Sequence, residues 1–132
     1  MNQRTIKFRA WDKDKKSIFR IGCINWLENT VVYDFGHYNG FASILGNIIK
    51  MDNVELMQFT GLLDKNGKEI YEGDIVDMSA IGWQRPSRLA VGFEDGRFGL
   101  VHDGDWTADL YYVSDNGGEI IGNIYENPDL LK

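Results

Sequence analysis

From Val54 onward the chain carries short runs rich in Ile, Val, Leu and Tyr, closely spaced and separated by glycine-bearing turns. "VELMQFTG", "EIY", "DIVDMS", the two halves of "SRLAVGFEDGRFGLVH", "TADLYYVS" and "EIIGNIY" read as strands, the last but one with Tyr111 and Tyr112 on opposite faces. The Asn66-Gly67 pair in "DKNGK" accepts the positive φ that a tight hairpin turn demands, and Glu94-Asp95-Gly96 turns the clearest hairpin. Gly73-Asp74 reads as a corner entering a strand, with Ile75 and Val76 on opposite faces and the Asp74 carboxylate bonding nearby backbone N–H groups. Near the end, Asn127 can cap a short helical turn whose first position is Pro128. Fifteen glycines against two prolines suit many tight turns. The expectation is a mainly β protein: a small barrel or sandwich over residues 54–132, preceded by a β-hairpin and irregular subdomain over residues 1–53.

The amino-terminal part differs in charge. Residues 1–20 hold seven basic groups and two acids, a net +5, and the remainder seven basic groups and eighteen acids, a net −11. "TIKFRAW" alternates Ile6, Phe8 and Ala10 with Lys7 and Arg9, and "DKDKK" turns the chain into "SIFRIGCI". The result is a hairpin fringed by Lys7, Arg9, Trp11, Lys13, Lys15, Lys16 and Arg20, the candidate partner contact. Such a fringe also protects a solvated sheet edge. Cys23 is expected to be a small buried hydrophobe. As a lone cysteine it excludes an internal disulfide framework and suits a reducing compartment. Phe41, Ile44, Leu45, Ile48 and Ile49 fit a helical template that Gly46 and Asn47 weaken, so helix and irregular loop with a strand both remain open there.

Catalytic signatures fail one by one. A phosphate loop requires G-x-x-x-x-G-K-[ST], whereas five residues separate Gly61 from Gly67, and Lys68 is followed by Glu69. Counting a calcium loop from Asp103 puts Ala108 at the sixth place and Ser114 at the twelfth, where glycine and glutamate are needed. Asp103, Asp105 and Asp109 therefore read as a solvated acidic loop. His37, His102 and Cys23 cannot complete a four-ligand zinc site without carboxylates, and no pair of them has ligand spacing. No nucleophile elbow surrounds Ser87 or Ser114. The expectation is no enzyme, no metal and no cofactor. The first residues lack a signal-peptide core and no apolar run reaches membrane-spanning length, which points to the cytoplasm and to no membrane partner. Trp11, Trp26, Trp83 and Trp106 sit near strand ends and loops, where aromatics plug barrel ends or grip bases and peptides.

"IKFRAWDKDKK", "ELMQFTGLLDKNGKEIYEGDIV" and "EIIGNIYENPDLL", in that order, resemble the YopX family of small phage and prophage proteins. The stretches between them, about residues 25–53 and 78–114, carry no comparable match. The resemblance implies an SH3-like small β-barrel and an accessory protein of phage or prophage acting in the host cytoplasm, and it transfers no catalytic residue or cofactor. Two functions follow. The first is a protein-interaction or assembly module that docks to like subunits or to a phage or host protein. The second is a nucleic-acid-binding module that uses the basic hairpin with Trp11 and Trp26. The acidic body repels nucleic acid, which favours the first.

Overall fold

The structure, a computed structural model, describes residues 3–34, 48–82 and 86–132. His37, Trp83 and the undecided stretch before Ile48 lie outside them. The strands are β1 (Phe8–Asp12), β2 (Ser17–Asn25), β3 (Thr30–Tyr33), β4 (Ile48–Lys50), β5 (Val54–Leu63), β6 (Glu69–Tyr71), β7 (Asp74–Asp77), β8 (Arg88–Glu94), β9 (Arg97–His102), β10 (Asp105–Asp109) and β11 (Glu119–Asn123). One short helix, α1 (Tyr111–Asn116), and 3-10 turns at Met51–Asn53, Ser79–Ile81 and Pro128–Leu131 complete the described chain. The hydrogen-bonded strand orders are β4-β3-β2-β1-β5-β6 and β10-β9-β8-β7-β11. The protein is therefore mainly β, as its strand pattern requires. Neither sheet closes on itself among the described residues, so the expected closed barrel is not found.

Contacts divide the chain into two compact units, residues 7–57 and residues 1–6 with 58–132. In the first, β1 and β2 form the expected hairpin, with Ala10 opposite Phe19 and Trp11 opposite Ile18. The hairpin is no isolated extension, because β2 pairs onward with β3, and β3 with β4. Ala10, Val31, Tyr33 and Val54 form the buried centre, flanked by Phe19, Ile21, Ile24 and Leu56. A bulge between Ile21 and Cys23 shifts the register of β2. Ile24 then packs on the core, and Cys23 is exposed rather than buried. One extra residue in a strand reverses which side chains face inward, which overturns the expectation for Cys23.

In the second unit Ile70, Val76, Met78, Leu89, Val91, Leu100, Leu110, Val113 and Ile120 form a continuous core. Burying each such large aliphatic side chain contributes about 1.5–3 kcal/mol of transfer free energy. The hairpins β8–β9 and β9–β10 turn at Asp95-Gly96, with φ of 51° and 78°, and at Asp103-Gly104, with φ of 50° and 82°. Positive φ at both central residues matches the right-handed twist of the flanking strands, so Asp103 belongs to a tight turn and not to an acidic loop.

"TADLYYVS" is not one strand. β10 ends at Asp109, and α1 runs from Tyr111 until Gly117, at φ 84°, stops it with its N–H on the Val113 carbonyl. Tyr111 and Tyr112 consequently stack, centroids 4.3 Å apart, instead of pointing to opposite faces. Pro128 does open the last 3-10 turn, but the Asn127 side chain does not cap it. Its Oδ1 accepts the Asn123 N–H at 3.2 Å instead.

Candidate functional site

The seven singled-out residues of the basic hairpin are only partly brought together. Arg9 and Trp11 lie on β1, and Arg20 faces Arg9 across the pair, so the three share the face opposite Ala10 and Phe19. Lys7 precedes β1, while Lys13, Lys15 and Lys16 occupy the turn that follows it. Lys13 Nζ meets Glu55 at 3.3 Å, and Arg20 meets Asp34 at 3.1 Å. The Lys15 ammonium stands 5.5 Å from the centroid of Phe19 and 5.9 Å from that of Tyr33, two rings that stack on each other. Lys16 adopts a φ of 55°. Three of the cations are thus balanced by acids or rings of their own unit.

Asp12 sets the geometry of that turn. Its Oδ1 accepts the N–H groups of Asp14 and Lys15 at 2.9 and 3.0 Å, and its Oδ2 accepts the Tyr33 hydroxyl at 2.8 Å. Burial pushes the carboxyl up, but these donors together hold it below the usual carboxylate value. Burial first, and then the same hydrogen bond, push the Tyr33 hydroxyl far above its ordinary value. The pair is a structural clamp.

A second constellation lies wholly within the other unit. Arg97, at the start of β9, places its guanidinium 4.2 Å from the Trp106 ring centroid and donates to Asp109 Oδ1 at 3.2 Å. This bridge divides two open recesses. Thr60, Leu62, Phe98, Leu110 and Tyr111 line one, and Trp106, Thr107, Ala108 and Tyr112 the other. Gly99 makes the arrangement possible, since a Cβ there would stand only 2.0 Å from the Trp106 ring. Phe98 packs edge-on against Phe93, centroids 5.0 Å apart, and Phe93 and Tyr111 are half exposed. The groove offers aromatic faces, a stacked cation and a carboxylate, which is the equipment of a recognition surface.

Sequence reasoning named Trp106, Tyr111 and Tyr112 individually and read Asp109 as part of a solvated acidic loop, but missed Arg97 and Phe98. Two signals could have found them. Gly99 in mid-strand marks a close approach, and Asp103-Gly104 is a hairpin turn that folds β10 back on β9.

The carboxylates around the Glu72-Gly73-Asp74 corner serve the backbone. Asp74 Oδ2 accepts the Tyr71 N–H at 2.8 Å, and Glu72 Oε1 accepts the Gln58 N–H at 2.9 Å. Ile75 and Val76 are both fully buried on alternating faces of β7, as expected. Among the described residues no group of three or more His, Cys, Asp or Glu side chains could hold a metal ion.

A family model described as YopX protein matches residues 7–132. The solved structure of protein EF1440 from Enterococcus faecalis is similar at 29% identity and a TM-score of 0.71, covering 98% of this chain and 100% of that one. The solved structure of protein yopX from Bacillus subtilis is similar in fold at 19% identity and a TM-score of 0.58, covering 98% of each chain. No curated protein matches.

Proposed function

The chain belongs to the YopX family, and from that premise we propose that it is a non-catalytic interaction or assembly module of phage or prophage, acting in the host cytoplasm. The observation that carries this reading is the groove formed by Arg97, Trp106, Asp109 and the Tyr111–Tyr112 stack. A half-exposed aromatic surface on a packed β-scaffold favours protein recognition. The SH3-like description is supported by the strand order β10-β9-β8-β7-β11, in which the last strand returns through a single short helix to pair with the first of the five. The lone Cys23 suits a reducing compartment. No helix among the described residues is long and apolar enough to cross a membrane.

The nucleic-acid reading keeps one favourable observation, the shared face of Arg9, Trp11 and Arg20. Native mass measurements over a concentration series, for the wild type and for Tyr111→Ala, test the first reading. Association weakened by the substitution supports it. A salt-dependent gel shift with single-stranded DNA or RNA tests the second. Tight binding that disappears when Lys13, Lys15 and Lys16 are changed together to Gln would reverse the order of the two.

A further inference from the structure

We infer that the groove beside β10 receives an extended, cationic segment of a partner protein, laid along the free edge of that strand. The inference rests on the interaction-module reading and names the chemistry of its partner. β10 is the last strand in its sheet order, so among the described residues the edge away from β9 has no strand partner. An unpartnered edge accepts an added strand through main-chain hydrogen bonds, and side-chain recesses next to it supply selectivity. Both recesses include residues of this strand: one is lined by Trp106, Thr107 and Ala108 of β10, and the two share Asp109 at its end together with Arg97 of β9.

Charge selects the occupant. Residues 1–6 and 58–132 together hold seven basic groups and fourteen acids, a net −7, whereas residues 7–57 are close to neutral. Along β10 the exposed side chains are Asp105, Thr107 and Asp109. Asp109 Oδ1 accepts from the Arg97 guanidinium, and its half-exposed carboxylate keeps Oδ2 for a further donor. The chain already displays the chemistry such a surface accommodates, a guanidinium held between the Trp106 ring and a carboxylate. The β10 strand of a second copy fits this edge poorly, because β10 laid against β10 opposes aspartate with aspartate. The same acids that deter self-pairing therefore admit a segment carrying Lys or Arg at alternate positions.

Fluorescence anisotropy with labelled peptides of alternating Lys and Val tests this, with alternating Glu and Val, and Thr and Val, as comparison probes. The expected result is salt-sensitive binding of the Lys peptide alone. The D105N/D109N double variant should weaken it about tenfold or more, because both changes lie at the contact. The charge-matched D14N/E28Q variant, altered outside the groove, should change it by less than about twofold, since a bulk-charge contribution is screened by salt. Amide exchange should slow across residues 105–109 when the peptide binds. Equal weakening by the two double variants would reduce the effect to bulk charge and overturn the inference. Equal binding of the Thr peptide, surviving D105N/D109N, would overturn cationic selectivity while sustaining the interaction module. No binding of any peptide would overturn the inference, and a single chain at every concentration by native mass would then count against the module reading too.

Discussion

Asp64 accepts hydrogen bonds from three backbone N–H groups, and the third belongs to a distant strand. Its Oδ1 takes Asn66 and Lys68, both at 2.9 Å, and its Oδ2 takes Ile120 at 3.0 Å. Burial raises the carboxyl, but the N–H groups of Ile120, Lys68 and Asn66 outweigh it and leave the carboxyl below its ordinary value of 3.8. A carboxyl depressed in the folded state contributes stability above its unfolded value, and that stability is lost as pH falls through the lower folded value. Asp64→Ala should cost about 2–4 kcal/mol near neutral pH, because it strands buried donors. It should also flatten the dependence of the urea midpoint on pH below the ordinary carboxylate value, and an unchanged acid dependence would count against this role. At the same turn Gly67 takes a φ of 80°, with nothing within 4 Å of an added Cβ. Gly67→Val should therefore meet no clash and incur only the strain of a left-handed backbone, about 1–2 kcal/mol by urea unfolding, and keep the fold. The Asn-Gly pair was legible in the sequence. The Asp64 bond was not, because its partner lies 56 positions away and only the folded sheet brings it near.

At the scale of elements, strands bounded by turn residues were readable because alternation and turn chemistry agree. Two elements were not. β2 alternates as a regular strand in the sequence, and its bulge follows from pairing with β3. Residues 111–116 carry aromatic and β-branched residues that favour strands, yet a helix there buries Val113 and gives Gly117 its left-handed cap. Both differences are measurable. Cys23 should react with a thiol reagent in folded protein without denaturant, and protection that lifts only in urea would contradict the bulge. Gly99→Ala should displace the Trp106 ring and cost about 1–3 kcal/mol through overpacking. It should also blue- or red-shift the tryptophan emission, and an unshifted spectrum with an unchanged urea midpoint would contradict the close approach.

Over the whole molecule, the charge imbalance was visible from the composition, but its local cancellation was not. Lys13 and Arg20 find their acids within residues 7–57, at exposed side chains. Exposed pairs are worth at most about 1 kcal/mol, so changing Lys13, Lys15 and Lys16 together to Gln should move the thermal midpoint little. A large loss of stability would show that the turn carries more than a solvated fringe. The aromatic groove was illegible as a site because β5, β9, β10 and α1 each supply part of it. The division of the chain also imposes an order in time. Every residue of the 7–57 unit is synthesised before most of its companion, so its strands can pair early. The companion must wait for Glu119–Asn123 to reach β7, and for Ile120 to reach Asp64. Until then β7 presents a bare edge to every other nascent chain, an open template for pairing with the wrong strand.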